Sequence, residues 1–270
     1  MSESNKRNFI VHGSILAIAG ILVRIIGMLY RIPVVNIIGS EGNGIYGAAF
    51  NIYNIMLVLS SYGLPMAVSK LVSARFTKRR YKSAAKVLRC SLMVAVCTGG
   101  IAALLVFFGA SFIENVIYGG GLPGLAIPLR ILAPTIFLVA ILGVIRGFFQ
   151  GQSTMIPTAV SQILEQIVNA IVSIAAGYGM MKAFASSPDV AAYGAAGSTL
   201  GTAMGALTAV LFMGFLYAVY TPTFNRLKRK DRHTENQSTG QICKIIIYTM
   251  IPIILGQTFY QISALIDDVM

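Results

Sequence analysis

About seven apolar stretches divide this chain, and the polar connections between them alternate between cation-rich and cation-poor. Each stretch can cross a hydrocarbon core of about 30 Å as a helix rising about 1.5 Å per residue. With 56% hydrophobic and only 11% charged residues, the chain lies outside the range of soluble domains. The fold class this implies is all-α: a polytopic, multi-pass integral membrane helical bundle in the cell membrane. Cys90, Cys97 and Cys243 sit in or beside apolar runs, with no CxxC pair and no histidine cluster. Neither a disulfide framework nor a metal site is indicated.

Arg75, Lys78, Arg79, Arg80, Lys82, Lys86 and Arg89 crowd one connection that holds no acid, and Arg226, Lys228, Arg229, Lys230 and Arg232 crowd another. The connections around Glu114 and Asp189 carry a single cation, Lys182. Of the 21 Lys and Arg residues, 16 fall in or beside the cation-rich side. The positive-inside rule assigns that side, and the N-terminus with it, to the cytoplasm. A net charge of +12 would otherwise suggest nucleic acid. Placed at the ends of apolar spans, it is matched to membrane lipids with anionic head groups, and no nucleic-acid partner is expected.

Helix one is predicted from Phe9 to Ile38. Ala17-Ile18-Ala19 has the form of a signal-peptidase site, but the apolar run continues well past it. Arg24 and Arg31 are seven residues apart and share a face, with Pro33 as a kink. One arginine at a helix centre costs about 2.5–3.5 kcal/mol on insertion scales, so two on one face argue for a shared water-filled cavity. Snorkelling is the ordinary account for Arg31, nearer the outer end, and a poor one for Arg24. Gly39 to Gly44 reads as a linker to helix two, Ile45 to Val72, which carries Asn51 and Asn54 on one face, a bend at Pro65 and Lys70 as an interfacial anchor. Helix four holds Arg130 near its outer end. Helix six carries Gly197, Gly201 and Gly205, a close-packing ladder. Helix seven, from Ile242, bends at Pro252 and has Gln257 and Gln261 on one face.

Between helices four and five lies the stretch Arg146 to Gln166. Gly147 and Gly151 are expected to reverse the chain, Ser153 or Thr154 to cap the outgoing helix, and Pro157 to occupy its first turn. Gln162, Glu165, Gln166 and Asn169 then follow the i, i+3, i+4, i+7 rule and form one polar stripe. An interhelical hydrogen-bond ladder accounts for the amides as well as function does. Glu165, about 12 Å beyond Pro157, is an intramembrane ionisable group of the kind that faces a cavity or pathway.

Arg-Gly-Phe-Phe-Gln-Gly at Arg146, followed by Met-x-Pro-Thr-Ala-x-Ser-Gln-x-x-Glu-Gln from Met155, resembles a signature of the polysaccharide and lipid-linked-oligosaccharide exporters of the stage V sporulation protein B type. Gly63-Leu64-Pro65-Met66-Ala67-Val68-Ser69-Lys70-Leu71-Val72 resembles the end of that family's second helix. The superfamily also holds the lipid II flippases and the multidrug and toxin extruders. The resemblance implies two six-helix lobes that rock for alternating access, with this chain matching the N-terminal lobe. It implies a lipid-linked saccharide of the polyprenyl pyrophosphate type as partner. In the lipid II flippase branch helix one also bears two arginines, the second one residue earlier than Arg31, so Arg24 inherits that role more firmly.

Together these features predict a non-enzymatic flippase. Arg24, Arg31 and Arg130, with Asn51 and Asn54, would bind the anionic head group. Glu165, with Gln162, Gln166 and Asn169, would couple or gate the cycle. No cofactor is expected beyond coupling to Na⁺, H⁺ or the membrane potential. The domain reading is a six-helix lobe over 1–225, a basic cytoplasmic linker over 226–240, and over 241–270 an odd helix without partners that opens a second, missing C-terminal lobe. Two other readings stay open: a multidrug or cation antiporter, which should line its cavity with acids, and a membrane-embedded glycosyltransferase or polymerase. The latter needs poised outer carboxylates, where only Glu41, Glu114, Asp189 and the terminal aspartates are at hand.

Overall fold

The computed structural model describes the backbone of residues 3–232 and 238–269, and the side chains of residues 13–232 and 238–257. Its first element, α1 (Glu3–Ser60), leaves helical geometry at Gly39, where φ is 70° and ψ −176°. Only glycine reaches that region without a Cβ penalty. The chain reverses there, since Tyr46 lies within electrostatic reach of Tyr30 and Val34, Ile38, Ile45 and Tyr46 share one buried cluster. The linker expected over Gly39 to Gly44 is therefore a single residue, with Ser40 to Gly44 already helical.

The second arm of α1 ends at Ser60, whose hydroxyl donates to the Met56 carbonyl at 2.7 Å. After a turn at Ser61 and Tyr62 the chain resumes as α2 (Gly63–Thr77). Pro65 falls in the first turn of α2, where a missing N–H costs nothing, so the expected bend appears as a break just ahead of it. The remaining elements are α3 (Tyr81–Phe112), which runs into a π-helical turn over Ile113–Ile117, then α4 (Ala126–Gly151), α5 (Ile156–Ala183), α6 (Val190–Lys230) and α7 (Thr239–Val269).

Among the described residues, six helical segments are long and apolar enough to cross a membrane. The first, Gly13–Thr77, reverses at Gly39 and supplies two crossings, which gives seven in total. Ile21, Met28, Leu105, Phe108, Ile171, Leu211 and Phe215 are all exposed, a surface that suits lipid and not water. The chain is a multi-pass membrane protein.

Two buried clusters stack along the bundle. One joins both arms of α1 to α3, α4 and the start of α6, around Tyr53, Leu129, Leu132 and Ile136. The other joins α2, α3, α4, the end of α6 and α7, around Leu64, Phe148, Met213 and Phe224. Helix α7 is thus a packed member of this bundle: Ile242, Ile246 and Met250 are buried, and Met250 closes on Gly63 of α2. That corrects the expectation of a helix without partners. Gln257 is exposed, and Gln261 lies outside the described side chains. Cys90 and Cys243, both free, touch where α7 meets α3.

The basic stretch Arg226 to Lys230, expected as part of a linker, continues α6. Phe224 explains this, being 1% exposed and packed on the rings of Phe76 and Phe148. Just beyond, Asp231 is buried and its Oδ2 accepts from the Lys82 amide at 2.9 Å, capping the start of α3 from across the bundle.

Helices α5 and α6 make the most intimate pair. The ladder Gly197, Gly201, Gly205 lies on the α5 backbone: a Cβ at Gly201 would sit 2.6 Å from the Ser173 amide nitrogen, and one at Gly205 2.6 Å from the Glu165 carbonyl. A second ladder, not anticipated, is Gly143, Gly147 and Gly151 of α4 against α2, where a Cβ at Gly147 would lie 2.6 Å from the Pro65 carbonyl. Overpacking such a contact costs about 1–3 kcal/mol. Gly201→Ala is expected to lower the melting temperature of the detergent-solubilised protein by several degrees, while Gly214→Ala, with nothing within 4 Å, leaves it unchanged or slightly higher. Thermal unfolding followed by intrinsic fluorescence checks both.

Candidate functional site

Helices α4 and α5 are consecutive yet scarcely touch; α5 packs on α6 and on α1 instead. What spans the interval is a polar bridge: Gln150 Nε2 donates to Thr158 Oγ1 at 3.4 Å near the turn, and an ion pair lies deeper. Arg146 Nη2 lies 2.7 Å from Glu165 Oε2. Its Nε donates to Ser161 Oγ at 2.9 Å, and that hydroxyl donates onward to the Thr158 carbonyl at 2.8 Å. The two side chains are 15% and 27% exposed. A charge held in a membrane interior is tolerated when paired and hydrogen-bonded, and removing one partner strands the other. Tyr53, from the second arm of α1, lies within electrostatic reach of Glu165.

The polar stripe of α5 divides between two tasks. Asn169 is buried: its Oδ1 accepts from Ser173 Oγ at 2.9 Å and Thr202 Oγ1 at 3.5 Å, and its Nδ2 donates to Tyr30 Oη at 3.3 Å. It knits α1, α5 and α6 together, as a hydrogen-bond ladder would. Gln166 Nε2 lies over Gly27 of α1, 3.2 Å from where a Cβ would stand. Gln162 is half-buried one turn before Glu165. Glu165 alone turns to α4, at a height fixed by Gly205 against its own carbonyl.

Arg24 and Arg31 are exposed on the first arm of α1, along the side that also exposes Ile21, Met28 and Ile32. Arg31 is within electrostatic reach of Tyr46. Arg130 donates from Nη2 to Ser111 Oγ at 2.9 Å, which directs it at α3. Arg24 and Arg31 are thus brought to one surface, and Arg130 is held by a different neighbour. Asn51 is exposed and Asn54 half-buried on the second arm of α1. Glu114 accepts from the amides of Gly124 at 3.0 Å and Ala126 at 2.8 Å, capping α4. Its carboxylate is committed to that helix end.

Arg146 is the residue that sequence reasoning missed. Counted among the cations of the cytoplasmic border, it was hidden by reading Gly147 and Gly151 as a turn. Both are helical and pack on α2. The reversal is made after Gly151, with Ser153 in the left-handed region at φ 62°, and the N-cap of α5 is Met155, without a side-chain cap. Pro157 does occupy the first turn. The available signal was spacing: with α4 continued to Gly151, Arg146 sits about 8 Å inside its helix, opposite Ser161 and Glu165.

A bundle of this kind, with glycine-packed spans and ionisable groups inside them, is a polytopic all-α membrane fold. A MATE protein crystallised in the straight conformation has a similar fold, with a TM-score of 0.73 at 17% identity over 94% of this chain and 53% of that one. The chain belongs to the polysaccharide biosynthesis protein family, whose model matches residues 10–270. It is 34% identical over 176 residues to the lipid II flippase MurJ of Bacillus subtilis, covering 63% of this chain and 32% of that protein. It is 30% identical over 210 residues to stage V sporulation protein B of the same organism, covering 77% and 39%. The chain spans about a third to a half of the length of the proteins it matches.

Because the ion pair bridges α4 and α5, Arg146→Ala and Glu165→Ala are each expected to destabilise the protein, and the double variant is expected to lose less than the sum of the two single losses. A double-mutant cycle is expected to give a coupling of about 0.5–3 kcal/mol. Thermal unfolding of the four proteins measures it, and additive single effects would remove the bridge.

Proposed function

We propose that this chain forms the N-terminal lobe of a flippase that carries a lipid-linked saccharide precursor across the membrane by alternating access. The observation that carries this reading is the exposed pair Arg24 and Arg31 on α1, two permanent cations along an otherwise apolar membrane-spanning surface. Such a surface suits an amphiphile with an anionic head. Guanidinium forks bind phosphate oxygens bidentately, and the surrounding apolar face accommodates the lipid. The family match and the likeness to a lipid II flippase support the same substrate class.

The Arg146–Glu165 pair serves as the gate or coupling element in this reading. It joins two helices that hardly pack elsewhere, so exchanging the partner of either charge lets α4 and α5 move relative to each other. Coupling to Na⁺, H⁺ or the membrane potential would act through that exchange. A cation extruder is less well supported: Glu165, the acid of the α5 stripe, is neutralised by Arg146. A glycosyltransferase is less well supported because Glu114 is spent on a helix cap. In the two-lobe arrangement implied by the family, rocking of this lobe against a second one exposes the Arg24 surface to alternate sides.

Arg24→Ala is expected to abolish complementation of a strain depleted of the activity while membrane abundance stays normal; full complementation would overturn the head-group role. The orientation is tested separately by labelling single cysteines from each side. Positions near Arg79 and Arg229 should be reached from the cytoplasm only, and positions near Asn115 and Asp189 from outside only.

A further inference from the structure

We propose that the groove between the basic ends of α3, α6 and α7 is a binding site for the phosphate of a resident anionic phospholipid. This is separate from the transport reading and holds whether or not that reading does. Lys82, Lys86 and Arg89 recur at i, i+4 and i+7 and so share one face of α3. They line a cavity of about 410 Å³ whose opposite wall is Lys228 of α6 and whose end is Thr239, the first residue of α7. A second cavity of about 540 Å³ shares Lys82 and Lys228 and adds Asn225 and Arg229. Four cations therefore converge on one concavity, with a fifth beside it.

The same α3 face continues into the bilayer as Met93, one turn beyond Arg89, and the floor is completed by Ala85 and Cys90. A cationic mouth above an apolar floor matches a phosphodiester above an acyl chain. A free phosphate would use the mouth only.

The site is held open by contacts of its own. Asp231, 5% exposed, accepts from the Lys82 amide at 2.9 Å and fixes the end of α6 against the start of α3. Lys228 Nζ lies 5.2 Å from the centroid of the Phe224 ring, a cation–π contact that holds the ammonium beside the groove. By contrast Lys78, Arg79 and Arg80, equally part of the basic side, are exposed at the α2–α3 turn and line neither cavity.

That contrast supplies the test. The purified chain is incubated with phosphatidylglycerol or with phosphatidylcholine of the same acyl chains, and retained lipid is counted by native mass spectrometry. Phosphatidylglycerol is expected to be retained at least about tenfold better than phosphatidylcholine. Lys82→Gln, Arg89→Gln and Lys228→Gln combined should reduce its retention roughly a hundredfold, at about fivefold per cation. Lys78→Gln, Arg79→Gln and Arg80→Gln combined should change it less than twofold. Arg89→Gln alone, at an exposed position, reads out the same site by a roughly fivefold loss should the triple variant fail to fold. Equal losses in the two triple variants would reduce the effect to diffuse surface charge and overturn the site. Equal retention of the two lipids, or displacement of phosphatidylglycerol by millimolar inorganic phosphate, would overturn it as well.

Discussion

The bundle depends on the close approach of helix backbones. In lipid the tails are as apolar as leucine, so apolar side chains gain little by leaving them, and helices associate where small residues allow dense packing. Gly197, Gly201 and Gly205 let α6 lie on the α5 backbone, and Gly143, Gly147 and Gly151 do the same for α4 on α2. The polar side chains at the α4–α5 interval are positioned by these two contacts. Glu165 and Asn169 stand where the α6 ladder presses on their backbone, and Arg146 is carried by the α4 segment seated on Pro65 and Val72.

The interval those ladders leave, between α4 and α5, is where electrostatics takes over from packing. The Arg146–Glu165 pair, with the Arg146–Ser161 and Gln150–Thr158 hydrogen bonds, substitutes a few polar contacts for the many weak ones that join the other neighbours. A packed ladder resists displacement along its whole length. An ion pair can exchange in one step when another charge or a proton offers itself, which is why the proposed gate is placed at this helix pair.

At the basic surface the opposite device operates. Phe76, Phe148, Phe149, Tyr220 and Phe224 form a continuous aromatic contact, and Asp231 ties the end of α6 to α3. Charge repulsion among the many cations is opposed there by rings and by one buried carboxylate. Lys228 and Lys82 are thereby kept facing each other across a groove.

Sequence by itself determined the number of crossings, the all-helical class and the side on which the cations collect, because lipid imposes length and polarity on each span separately. It also located the ladder on α6, the stripe on α5 and the exposed arginines of α1, since each is periodic within a single helix. Only the tertiary structure decided which charge meets which. Arg146 and Glu165 are 19 residues apart on helices whose relative rotation depends on how Gly147 and Gly151 seat against α2. Arg130 found Ser111, Glu114 found the start of α4, and α7 found α2 and α3. Periodicity states the face a residue occupies; the neighbour that face receives is set by the packing of every other helix at once.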